Sequence, residues 1–323
     1  MQARALPKAA LTVLLVLATT TLFAQPYPNK PIKLIVPYAA GGGTDAVARS
    51  VAERLRSRLG RAVIVENRGG AGTLIGSDAV AKASPDGYTL LLHTDMLPLF
   101  PMLYANLTFD VTKDFTPISV FASGTIVLVA NPSVPAKNVQ ELVALAKKTP
   151  GSLSMATAGS GTSHDMAGML FARKADVNFN YIPYKGNGPA LTDVVAGHVS
   201  LGLFSLPLVT QFAKEGKVKI LAVFDSQRHP LEPDVPTIAE AGFRGVEYSV
   251  RYIISAPAGT PKKVIAKLQD ALGQIAKEPA YKSELMRVGF NAQFTTADET
   301  AGIMQKQREQ MGQVLKAANV VPQ

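Results

Sequence analysis

The residues best placed for chemistry lie in Val36-Pro37-Tyr38-Ala39-Ala40-Gly41-Gly42-Gly43-Thr44-Asp45. An apolar run ends there, and three glycines form a turn whose backbone N–H groups can approach a ligand. A helix is predicted to start at Thr44 or Asp45. A helix N-terminus carries unpaired N–H groups and the positive end of the helix dipole, so it draws an anion. Gly42, Gly43 and Thr44 are thus candidate ligand contacts, the Thr44 hydroxyl as an extra donor. The plainer reading is that Thr44 and Asp45 only cap the helix.

A matching device follows in Ala158-Gly159-Ser160-Gly161-Thr162-Ser163-His164, again small residues and hydroxyls between a strand and a helix. Two such helix starts could grip one carboxylate from both sides, because charge-assisted bonds are about twice as strong as neutral ones. Other chemistries fit less well. Gly41, Gly43 and Ala46 with Glu66 match the Gly-x-Gly-x-x-Ala dinucleotide fingerprint, which would make an NAD-dependent enzyme. Against that stand an export signal and a second glycine loop, Gly69 to Gly72, that the fingerprint does not predict. No Gly-x-Ser-x-Gly elbow occurs, and the four histidines, at 93, 164, 198 and 229, lack metal-ligand spacing. No cofactor is expected. A module that binds only another protein is the third reading.

Those loops need strands and helices behind them. Ile32–Val36, Ala62–Glu66 and Tyr88–His93 read as strands, with helices over Asp45–Leu59 and Thr73–Lys82. A second alternating block has helices at Val139–Lys148, Asp165–Lys174, Pro189–Ala196 and Pro207–Glu215. Its strands are Leu153–Thr157, Asn180–Ile182, Val199–Phe204 and Ile220–Phe224. Such alternation predicts α/β layers on mostly parallel sheets, one per block. Apolar strands near 126–130 and 248–255 can cross between blocks, and the helical last 60 or so residues return to the first. The expected architecture is 25–125 with 256–323 as one lobe and 126–255 as the other, hinged to enclose a ligand.

The chain opens with Arg4 and Lys8 ahead of the apolar run Ala9 to Leu17, and small residues lead to a cleavage point after Ala24. That is the pattern of a secretory signal peptide, too short to span a bilayer. The remaining chain of about 300 residues suits two domains. There is no Cys, which rules out disulfides and a lipidated cysteine. The net charge of +9 falls to about +7 without the leader. Its basic residues are scattered and Trp is absent, so nucleic acid is not an expected partner and a small anion is.

Several tags in order make the chain resemble the substrate-binding proteins of tripartite tricarboxylate transporters, the Bug or TctC family. They are Tyr27-Pro28-Asn29-Lys30-Pro31-Ile32, Gly42-Gly43-Thr44-Asp45, Val65-Glu66-Asn67-Arg68, Pro85-Asp86-Gly87-Tyr88, Pro183-Tyr184-Lys185-Gly186 and Asp234-Val235-Pro236-Thr237. Ala256-Pro257-Ala258-Gly259-Thr260-Pro261 closes the series. The resemblance implies a periplasmic, two-lobed (type II, Venus flytrap) protein that delivers a small carboxylate to a membrane permease. It implies Tyr38 and Gly41–Asp45 on one side of the ligand, Ala158, Gly159, Ser160, Thr162, Ser163 and His164 on the other, and Tyr184 beside them. Thr94 to Met96 would face its far end. Three departures mark this chain: the histidine sits one place early at His164, Phe204 with Ser205 replaces a usual Asp, and Arg251 replaces a usual Trp. Phe204 would add an aromatic wall, and Arg251 either pairs with a second carboxylate or is a solvated hinge residue. Asp95, unusual beside an anion, would serve an amino or hydroxyl group.

Overall fold

The computed structural model describes residues 26–38, 40–41, 43–159, 162–184, 186–317 and 322. The proposed signal peptide, Gly42 and Ser160 lie outside them.

The strands are β1 (Ile32–Val36), β2 (Val63–Asn67), β3 (Thr89–Thr94), β4 (Phe115–Ala130), β5 (Ser154–Thr157), β6 (Asn180–Pro183), β7 (Leu201–Ser205), β8 (Lys219–Val223), β9 (Ser249–Pro257) and β10 (Phe290–Ala292). The helices are α1 (Gly43–Leu59), α2 (Leu74–Ala81), the single turn α3 (Phe100–Leu103), α4 (Val139–Lys148), α5 (Ser163–Ala175), α6 (Asn187–Ala196), α7 (Leu206–Lys214), α8 (Lys262–Lys277), α9 (Pro279–Arg287) and α10 (Ala297–Ala317).

Local sequence accounts for most of them. In β1 Ile32, Leu34, Ile35 and Val36 are buried, as a strand covered on both faces requires. Val47, Ala48, Val51, Ala52 and Leu55 form the apolar stripe of α1. Asn138 caps α4 by accepting the Glu141 N–H at 2.8 Å, and Glu141 reaches back to the Lys137 N–H at 2.8 Å.

The strands run in the order β2-β1-β3-β9-β4-β7-β5-β6, with β10 and β8 also paired to β4. β1 is parallel to β2 and β3, and β5 is parallel to β6 and β7. β4 joins the two parallel groups. Its residues 115–125 pair antiparallel with β9, and 122–124 also with β10. From Ile126 to Ala130 its neighbours become β7 and β8. Both neighbours thus change between Thr125 and Ile126, and the hydroxyls of Thr125 and Ser249 both donate to Asp225 beside that point.

Two expectations change here. The crossing strand is not a short segment at 126–130 but the second part of a 16-residue strand. Pro117, Ser119, Ser123 and Gly124, and two register shifts, disguise its first part. The segment expected to cross back at 248–255 is β9, which pairs only with β3 and β4 in the first group. The chain returns just before it, where the Tyr248 N–H bonds the Phe224 carbonyl at 2.8 Å.

Candidate ligand-binding site

In both parallel groups the loops after the strands come to the same edge, where α/β sheets hold ligands. From the first group come the loop after β1, the N-terminus of α1 and the loop after β3. From the second come the loops after β5, β6 and β7. They meet where the Ser163 hydroxyl, at the start of α5, donates to Asp95 Oδ1 across 3.3 Å.

On the first side the Tyr38 hydroxyl and Thr94 Oγ1 lie 3.2 Å apart, and Thr44 is hydrogen-bonded to the Tyr252 hydroxyl. Burial pushes the Tyr38 phenol up to about 12, so it stays protonated and able to donate. Gly43 is explained by packing, since a Cβ there would sit 3.2 Å from the Phe290 ring. Tyr252 carries no motif; only its place on β9 opposite Thr94 could have revealed it.

Asp45 corrects an expectation. It is buried, and it accepts bonds from the Gly41 N–H, Arg49 Nε and Asn67 Nδ2, each at 3.0 Å. Burial raises its carboxyl, but those bonds outweigh burial and hold it below the usual carboxylate range. Those bonds fix the shape of the glycine loop.

Asp95 corrects another. It is 1% exposed, and its oxygens already accept four bonds. Tyr248 Oη at 2.7 Å and Gln307 Nε2 at 3.1 Å reach Oδ2, while Ser163 Oγ and the Arg251 N–H, both at 3.3 Å, reach Oδ1. Burial pushes its carboxyl up, against the pull of Tyr248 and of the nearby Arg251 charge. Asp95 ties β3, β9, α5 and α10 together and has no acceptor left for an amino or hydroxyl group. The Arg251 side chain is half-buried beside it.

On the second side Gly159 adopts φ +132°, and its carbonyl accepts from Thr162 Oγ1 at 2.8 Å. Thr162 also caps α5 by accepting the Asp165 N–H at 3.3 Å, so its hydroxyl is used within the loop. The Ala158 carbonyl takes the Gly186 N–H at 3.0 Å, clamping the loop after β6 to the loop after β5. His164 is buried, and burial lowers its imidazole to about 4, leaving it neutral. Its Nε2 lies 3.2 Å from Ser205 Oγ and 3.4 Å from Asn187 Nδ2. Asn187 was not anticipated from sequence, although it opens a helix directly after a glycine, as Thr44 and Ser163 nearly do. Tyr184 donates its hydroxyl to Asp193 and is held in the framework of this lobe.

Phe204 is the clearest misplacement. It is fully buried with Val127, Val129, Ala190 and Leu206 in the second core, and Gly202 leaves room for its ring. A Cβ on Gly202 would sit 2.1 Å from Phe204 Cε2. Phe204 is a core residue, not a cleft wall; Ser205, next in sequence, emerges at the strand end beside His164.

The site is therefore lined by hydroxyls, phenols and a neutral imidazole, and the acids Asp45 and Asp95 are bonded within the protein. Such a lining suits an anion with polar decoration. Among the described residues no group of three or more His, Cys, Asp or Glu could hold a metal ion, and no helix is long and apolar enough to cross a membrane.

Comparison with known proteins places the chain in a family. Residues 47–320 match the family described as "Tripartite tricarboxylate transporter family receptor". The structure of the periplasmic binding protein BugD is 36% identical and superposes with a TM-score of 0.79, over 92% of this chain and 100% of that one. R. palustris Rpa4515, solved with adipate, is 28% identical with a TM-score of 0.83, over 92% and 100%. MatC from Rhodopseudomonas palustris, solved with malate, is 30% identical with a TM-score of 0.76, over 90% and 100%.

Proposed function

The chain belongs to the tripartite tricarboxylate transporter receptor family, a family of two-lobed solute-binding proteins, and from that premise we propose that it captures a small carboxylate between its lobes. The observation that carries the reading is the donor-lined edge where the two groups of loops meet, with Asp45 and Asp95 already bonded within the protein. The adipate and malate of two solved relatives support the ligand class. The protein acts as a receptor without catalysis of its own. Residues 1–24 direct it to the periplasm, and the loaded receptor hands its ligand to the membrane permease of a tripartite tricarboxylate-type transporter.

The lobes are 25–125 with 256–323, and 126–255. The change of neighbours at Thr125 and Ile126 supports the first boundary, and the pairing of β9 with β3 and β4 argues for moving the second back to about residue 248. Closure follows from tighter binding of the ligand to the closed arrangement than to the open one.

The test is thermal unfolding of residues 25–323 with aliphatic, aromatic and amino-acid carboxylates, and with NAD as the competing probe. A ligand at a hundredfold excess over its Kd stabilises by about 2.7 kcal/mol, enough to raise the midpoint by a few degrees. A rise with carboxylates and none with NAD is expected. A rise with NAD alone would overturn the reading in favour of an enzyme.

A further inference from the structure

Asn187 is a polar residue of the cleft edge whose side chain is only half bonded. It opens α6 directly after Gly186, whose φ is +110° and whose N–H is tied to the Ala158 carbonyl at 3.0 Å. This clamp fixes where α6 begins relative to the loop after β5. The amide nitrogen of Asn187 turns to His164 Nε2 at 3.4 Å, the same nitrogen that lies 3.2 Å from Ser205 Oγ. Asn187 Nδ2 can only donate, so in this arrangement Nε2 is the acceptor nitrogen of the ring.

The other end of the amide is the informative one. Asn187 Oδ1 is shielded from solvent and has no hydrogen-bond partner. A buried acceptor left unpaired is costly, so a native structure that keeps one generally has a donor to bring to it. The β5, β6 and β7 strands are parallel, and their C-terminal loops supply Ser163 and His164, Asn187, and Ser205 respectively. The helix start that carries the orphan oxygen therefore lies at the ligand-facing edge of the second lobe. Gly41, Arg49 and Asn67 already donate to Asp45, and Tyr248, Gln307, Ser163 and Arg251 to Asp95, so both acids are engaged within the protein.

We propose that Asn187 Oδ1 accepts a hydrogen bond from a hydroxyl, ammonium or amide N–H group on the ligand, so that the protein selects carboxylates bearing such a donor over otherwise identical ones lacking it. The inference rests on the carboxylate reading and narrows it. A receptor with a paired acceptor holds the decorated ligand and rejects its bare counterpart, because the bare one leaves Oδ1 buried and unpaired in the closed cleft.

Calorimetric titration of residues 25–323 with matched pairs tests this: succinate against malate and aspartate, propionate against lactate and alanine, and benzoate against hydroxybenzoates. At least one decorated member is expected to bind about tenfold or more tighter than its parent. In Asn187→Leu the preference should collapse to within about twofold. In Asn187→Asp, which keeps the acceptor but adds charge, all anions should weaken while the preference survives. Equal binding of every pair by the unaltered protein would overturn the inference and leave the carboxylate reading intact. The inference fails in the same way if Asn187→Leu weakens parent and decorated ligands alike, which would mean that the amide presents its N–H to a carboxylate. Binding of none of these acids would strike the carboxylate reading itself.

Discussion

Ser163→Ala isolates one bond that joins the two lobes. The Ser163 hydroxyl donates to Asp95 at 3.3 Å, from the start of α5 to the loop after β3. Its acceptor is a buried carboxylate, and hydrogen bonds to charged groups contribute about 1.5–3 kcal/mol. The length places this bond below that range, at about 1 kcal/mol. Asp95 keeps three donors without it, from Tyr248, Gln307 and Arg251, so no buried charge is stranded. The bond exists only while the loops meet. Removing it therefore disfavours the closed arrangement by that amount, and a ligand that requires closure loses affinity by about fivefold. Isothermal titration with the tightest carboxylate found measures this directly. Asp95→Ala and the double variant complete a cycle in which the serine effect should vanish once the acceptor is gone. An unchanged Kd in Ser163→Ala, or the same fivefold loss in the Asp95→Ala background, would refute the assignment of this contact to closure.

Two further outcomes follow from the site. Arg251→Ala should weaken a dicarboxylate by tenfold or more, in titrations that leave a monocarboxylate of similar length nearly unaffected, if its guanidinium meets a second carboxylate. Equal effects would make Arg251 a framework partner of Asp95. Burial lowers His93 and His164 to about 4, far below the value near 6.5 of an unfolded chain. Between those values the unfolded state binds more protons, so stability is full above about pH 6.5 and falls as pH drops toward 4. The loss is about 3 kcal/mol for each histidine. Asp95, pushed up by burial, works in the opposite sense and softens the loss at its acid end. Thermal midpoints from pH 7 to 4 should fall accordingly and fall less in His93→Gln; a flat profile would contradict the burial of these rings.

The parallel strands and their helices could be read from the residues because each is locally marked. α4 is delimited by the Asn138 cap and by Lys147 and Lys148 in its last turn, and its observed range is the one expected. Both helix starts with small residues were visible for the same reason. What the sequence concealed depends on neighbours distant along the chain. The first part of β4 carries polar and glycine positions although it is mostly buried, so no alternation betrays it. α9 and β10, short and without strong periodicity, were not anticipated. Asp45 and Asp95 were legible as acids near an anion site, but not as internally bonded ones, since their donors come from residues as remote as Asn67 and Gln307. Phe204 was assigned to the cleft by analogy of position, whereas Gly202, two residues earlier on the same face, makes room for its ring inside the core.

Sharing β4 has a consequence for how the molecule comes apart. A strand that lies between β9 and β10 at one end and between β7 and β8 at the other is interior to both groups of strands. Neither group can unravel without withdrawing a central strand from the other and stranding its backbone amides and carbonyls. The two lobes should therefore unfold as a single cooperative unit, and the rotation proposed for capture falls at the two crossings, Thr125–Ile126 in β4 and the return at Tyr248 before β9.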